Sequence, residues 1–194
     1  YILSWTTTPW TLPGNVGLVM REQITYAICR IKNQELRIGG DDEFYILAKD
    51  LVSNVLGKIE HEIIGDLKGS ELLGLEYEPL FEVGDRAHRL NATDGGEWAK
   101  AYKIYAADFV SAEDGTGVGH TAVMYGEDDF KLGKNVGLPT VHTVEENGRF
   151  VASLGEGLAG LYVKDPKTEE KIIQSLKEKN LLFAEEPYTH DYPF

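Results

Sequence analysis

Two stretches of this sequence gather groups able to bind and polarise a small substrate. In the first, Thr6, Thr7 and Thr8 run into Pro9, followed by Trp10, Thr11, Leu12, Pro13, Gly14 and Asn15. Pro9 cannot donate to a sheet ladder, so the chain must leave a strand there. The bend collects hydroxyls and backbone amides that can hold a water, a ribose hydroxyl or a carbonyl. Thr-rich strand ends and proline turns also serve ordinary scaffolds. The second stretch is Asp114-Gly115-Thr116-Gly117-Val118-Gly119-His120, then Gly126-Glu127-Asp128-Asp129. Gly115 and Gly117 permit positive φ or close backbone approach. His120 opens an apolar stretch; such a histidine either carries a proton or is a hydrogen-bonded structural residue. Three acids then start a helix, where the macrodipole and capping stabilise one or two of them. A further carboxylate is available to a cationic amine.

These groups need a frame. Tyr1–Trp5, Asn15–Met20, Thr25–Ile31, Glu35–Ile38 and Glu43–Leu47 read as short strands, rich in β-branched or aromatic residues between polar or Gly/Pro clusters. Lys49–Leu56 has helical spacing and stops at Gly57, and Lys58–Asp66 reads as another strand. Ser70–Leu73 looks like one helical turn, and Arg86–Lys100, holding Asn91 to Gly96, a polar loop. Ala101–Val110 returns to strand, and Glu127–Asn135 is a short helix between Gly126 and Gly137. Lys167–Lys179 is the longest helix, opened by Asp165-Pro166, with Ile172, Ile173 and Leu176 on one face. The pattern predicts an α+β fold: a β-barrel-like core of short strands with a few peripheral helices.

Bulk properties narrow the classes. The 194 residues suit a single domain, and 42% hydrophobic content argues against disorder. No apolar run approaches the roughly 18 residues of a membrane span. The start at Tyr1, within a strand-like run and without Met, reads as a piece of a longer protein. The single cysteine, Cys29, excludes an internal disulfide framework, fits a reducing cytoplasm and reads as a small buried hydrophobe. A net charge of −13 argues against broad phosphate-backbone contact, though a domain receiving only a strand's end can be acidic. His61, His88, His142 and His190 lack paired metal spacing, so no metal site is expected. His142 reads as structural, on a strand-like run. Glu145–Gly148 reads as a solvated turn, and Glu185-Glu186 as a surface pair. Phosphate-cradling glycine motifs and the G-x-S-x-G elbow are absent.

The two chemical stretches resemble the editing domain of isoleucyl-tRNA synthetases. Thr6 through Asn15 is similar to that family's threonine-rich motif almost residue for residue. Gly115-Thr116-Gly117, His120 and Gly126 to Phe130 resemble its second motif, continued by Leu132-Gly133-Lys134, Gly137-Leu138-Pro139 and Gly148-Arg149-Phe150. The segment Tyr188 to Pro193 resembles the return into the catalytic domain. Valyl and leucyl relatives typically carry Thr-Thr-Arg-Pro where this chain has Thr7-Thr8-Pro9-Trp10, and Pro-Ala-His-Asp near the second acid cluster. The chain departs from the family pattern at Gly119, Val123 and Tyr125, the last standing where Phe is usual.

The resemblance implies hydrolysis of valine wrongly esterified to isoleucine tRNA, and of valyl-adenylate as a further substrate. It implies Thr7, Thr8, His120 and Asp129 as catalytic residues, with Asp129 on the α-ammonium. Thr6, Trp10, Thr11, Asn15, Gly115, Thr116, Gly117 and Asp128 are the implied substrate-binding residues, with Trp10 walling the pocket or stacking on adenine. It implies no cofactor, a cytoplasmic monomer, and as partners the aminoacylated 3′ end of the tRNA, the valine moiety and the rest of a synthetase. Residues 1–194 are then one editing domain. The synthetic signatures His-Ile-Gly-His and Lys-Met-Ser-Lys-Ser are absent, so ATP-dependent charging is not expected of this chain. Two alternatives stay open: a valyl- or leucyl-type editing domain, and a non-catalytic module that docks the tRNA end.

Overall fold

The computed structural model describes residues 1–32, 43–81, 96–155 and 157–186. The expectations for Glu35–Ile38, His88, most of the 86–100 loop, His190 and the segment 188–193 lie outside these residues.

The described strands form two three-stranded sheets. The first is antiparallel, with β2 (Thr25–Ile31) between β3 (Glu43–Ala48) and β4 (His61–Lys68). β2 is apolar on both sides because both faces are covered. Ala27, Cys29 and Ile31 share one face with Tyr45 and Leu47, under Val52 and Leu56 of α1 (Val52–Leu56). Tyr26 and Ala48 turn the other way, onto Leu18 and Met20 of β1 (Gly17–Met20) and Ile104 of β5 (Lys103–Ala106). The second sheet has order β5-β1-β6, with β6 spanning Gly119–Thr121. β1 runs parallel to β5 and antiparallel to β6, with Leu18 opposite His120.

Most of the described strands and helices lie where the sequence pattern puts them; edges and closure do not follow it. No closed barrel forms among the described residues, because the strands divide between the two sheets. Tyr1–Trp5 is not a full strand. It bridges β3 at Ile46 and then β6 at Gly119, lacing the two sheets together. β4 starts at His61 rather than Lys58, and the strand expected over Ala101–Val110 is limited to Lys103–Ala106. Its partner β1 ends at Met20, opposite Ala106, leaving no ladder for the residues beyond. The helical turn α2 spans Gly69–Leu72, and His142 lies outside any strand.

A third cluster anchors the chemical turn. Helix α3 (Glu127–Val136) ends at Gly137, whose φ of +79° closes a left-handed cap. Helix α4 (Pro166–Glu178) is capped by the Asp165 side chain, which accepts from the Lys167 amide at 2.9 Å. Its buried face is Thr168, Ile172 and Leu176; Ile173 is only half-buried. Ile172 and Leu176 pack with Leu12, Phe81, Phe150, Leu154, Leu158 and Val163. Leu12 thereby fastens the threonine turn to α4. Among the described residues no helix is long and apolar enough to cross a membrane.

Candidate functional site

After Trp5 the chain leaves the edge of β6 and turns back on itself. The Thr8 amide donates to Thr6 Oγ1 at 3.1 Å, and Thr11 donates both its amide (3.0 Å) and its hydroxyl (2.8 Å) to the Thr8 carbonyl. Pro9 opens a 3-10 helix over Pro9–Gly14, where its missing N–H costs nothing. This bend forms one side of an open cleft of about 250 Å³ lined by Trp5, Thr6, Thr7, Thr8, Thr11, Gly119, His120, Tyr125 and Asp129. Residues more than a hundred positions apart meet because β1 pairs with β6, and the turn after β6 delivers the start of α3.

His120 is held from one side. Its Nε2 lies 3.1 Å from Thr11 Oγ1, while Nδ1 is buried with no partner. Thr11 has one hydroxyl proton, already given to the Thr8 carbonyl. Its oxygen must therefore accept from the imidazole, which places the ring proton on Nε2. Burial pushes the His120 pKa down to about 4, so the ring is neutral near pH 7. A neutral Nε2–H imidazole braces the threonine turn and has no lone pair at Nε2 with which to take a proton.

Asp129 is the third residue of α3 and half-buried. Its Oδ2 accepts from the Ala122 amide at 3.3 Å. Burial pushes its pKa up; the Ala122 N–H opposes the shift and the Asp128 charge adds to it. None of the described ion pairs involves Asp129. A partly desolvated carboxylate on the wall of a cleft is a fitting partner for an ammonium group. Asp128 points elsewhere: it is exposed, 4.0 Å from Lys131. Glu127 pairs with the same lysine at 2.7 Å, which holds the Glu127 pKa down.

The structure thus brings Thr6, Thr7, Thr8, Thr11, His120 and Asp129 together and leaves six other predicted residues off the cleft wall. Trp10 packs against the α4 cluster and, edge-on at 5.2 Å, against Tyr125. Asn15 is buried, donating to the Gly17 carbonyl at 2.8 Å and accepting from the Tyr77 hydroxyl at 2.5 Å. Gly115 and Gly117 hold φ values of +65° and +72°. A Cβ on Gly115 would lie 2.7 Å from the Trp5 ring, and one on Gly117 2.4 Å from Ala48 Cβ. The buried Thr116 receives the Ala48 amide on its carbonyl at 2.8 Å. This loop seats Trp5 and joins the two sheets. Trp5, Gly119 and Tyr125 line the cleft without having been singled out as site residues. Their signal was adjacency: Trp5 precedes the threonines, Gly119 precedes His120, and Tyr125 precedes the acidic helix start.

No protein-family model matches the chain. The isoleucine–tRNA ligase of Clostridium tetani is 40% identical over 193 residues, covering 100% of this chain and 16% of that protein. The isoleucine–tRNA ligase of Pyrococcus horikoshii is 39% identical over 195 residues, again covering the whole chain and 17% of that protein. The chain therefore spans about a sixth of the length of these relatives. In fold it is similar to the crystal structure of GlLeuRS-CP1, with TM-score 0.69, 15% identity and coverage of 97% of this chain and 85% of that one. It is also similar to the P. knowlesi cytosolic leucyl-tRNA synthetase editing domain, with TM-score 0.63, 12% identity and coverage of 92% and 81%. Along its whole length the chain is homologous to a segment of isoleucine–tRNA ligases, and its fold is that of leucyl-tRNA synthetase editing domains.

Proposed function

We propose that this cleft hydrolyses valine esterified to the terminal ribose of isoleucine tRNA. The observation that carries the reading is the convergence of Asp129 and the threonine turn on one small cleft. Isoleucine and valine differ by one methylene, which a binding pocket discriminates by only about 10–200-fold. A second, smaller site that destroys valine esters and excludes isoleucine raises the accuracy by another step; the handicap of a single pocket is itself documented for this enzyme family.

Asp129 binds the α-ammonium by a charge-assisted hydrogen bond. Thr7 and Thr8 position the ester and the attacking water. Water adds to the ester carbonyl carbon, the carbon–ribose oxygen bond breaks, and the water's proton ends on the ribose oxygen. His120, neutral and committed through Nε2 to Thr11, shapes the pocket rather than accepting that proton. The adjacent ribose hydroxyl of the substrate is the remaining group suited to relay it. The acidic chain receives only the single-stranded end, and the tRNA body rests on other parts of a full synthetase.

A panel of mischarged tRNAs tests this reading. Valine release from isoleucine tRNA is expected to dominate. Preferred release of threonine from valine tRNA would assign the valyl type, and tight binding of the charged end without turnover would make the domain a docking module.

A further inference from the structure

We infer that Tyr125 is the fixed wall that measures the length of the amino acid side chain, an inference that rests on the editing reading. Tyr125 lines the cleft four residues before Asp129, on the turn between β6 and α3. The ring is held from three directions. Trp10 packs against it edge-on, with centroids 5.2 Å apart at 69°. Gly14 backs it so closely that a Cβ there would come within 3.0 Å of the ring. At its tip, the phenolic oxygen accepts from the backbone amides of Thr143 at 2.7 Å and Val144 at 3.0 Å. It also lies 2.8 Å from Thr143 Oγ1. With two N–H groups donating to the oxygen, its own proton goes to Thr143 Oγ1.

Thr143 is fully buried, so no water replaces these bonds if the ring moves. Displacing the phenolic oxygen strains all three together, because they share that one atom. The wall therefore cannot yield to one more methylene. An aromatic residue on the same cleft wall as Asp129 suits a short branched aliphatic side chain, and rigidity rather than volume alone excludes the longer one. Phenylalanine at this position would keep the ring and lose the anchor.

The test is deacylation of valine- and isoleucine-charged isoleucine tRNA by the wild-type chain, Tyr125→Phe and Thr143→Val, with thermal unfolding alongside. Tyr125→Phe is expected to lower the valine-over-isoleucine preference about tenfold, chiefly through faster isoleucine release. Thr143→Val keeps both backbone bonds and is expected to lower it by about threefold. It carries the test if Tyr125→Phe does not fold. A lowered Tm with an unchanged preference would overturn the wall, because the hydroxyl would then serve the fold alone. A wild-type chain inert toward both esters would overturn the editing reading, and the wall with it.

Discussion

The threonine turn and the glycine loop carry equally recognisable motifs, yet they occupy different parts of the molecule. Thr6, Thr7, Thr8 and Thr11 line the cleft. Gly115, Thr116 and Gly117 sit against Trp5 and Ala48, and the positive φ values and close contacts of the two glycines make the loop a joint between sheets. The same division splits two neighbours in the acidic run: Asp129 faces the cleft, whereas Asp128 faces solvent beside Lys131. A motif records both the residues that touch substrate and those that hold them, and only the backbone path separates the two.

Substitutions on either side of that division should behave differently. The largest effect is expected at Asp129. Asp129→Ala removes the ammonium partner and should slow valine deacylation roughly a hundredfold, from a loss of about 3 kcal/mol. Burial raises the Asp129 pKa, so its charged form opposes folding at neutral pH. Asp129→Asn should consequently slow deacylation by up to the same factor without lowering Tm, and a large fall in Tm would move Asp129 to the structural side.

Next in size is a pH effect at His120. Its folded pKa of about 4 lies below the 6.5 of a free histidine. The unfolded chain therefore binds the proton first, and this contribution is fully present above pH 6.5 and lost as pH falls through about 4. The loss approaches about 3 kcal/mol. Urea unfolding of wild type and His120→Gln at pH 7 and pH 4.5 isolates it, because the carboxylates common to both cancel. Parallel pH profiles would contradict the half-buried, neutral imidazole.

On the scaffold side, Gly117→Ala forces a Cβ toward Ala48 at a φ of +72°. It should cost about 2 kcal/mol in stability, read as a lower Tm. Valine preference per folded molecule should stay at the wild-type level. Smallest of all, Asp128→Asn should shift stability by no more than about 0.5 kcal/mol and leave deacylation unchanged. A hundredfold loss there would exchange the roles of the two aspartates.

Much of this was legible in the sequence. Runs rich in β-branched and aromatic residues marked β2 and β3, and Asp165-Pro166 marked α4, because composition and caps are local. The threonine turn, His120 and the acidic helix start stood out by residue type and spacing, and the resemblance picked Asp129 from the three acids. The division into two sheets was not legible, because the lacing by Tyr1–Trp5 depends on isolated bridges to strands more than forty residues away. Trp10 and Asn15 shared a motif with the threonines, but the 3-10 path turns Trp10 toward α4 and buries Asn15 against Tyr77. Tyr125 looked like a departure from a family pattern. Its value depends on two backbone amides eighteen and nineteen residues away, which no local pattern displays.

The most direct test of the central claim is single-turnover deacylation of valine- and isoleucine-charged isoleucine tRNA by the purified chain beside its Asp129→Ala variant. Rapid valine release with isoleucine retained, and loss of that release in the variant, is the expected result. Equal release of both amino acids, or valine release undiminished by Asp129→Ala, would contradict it.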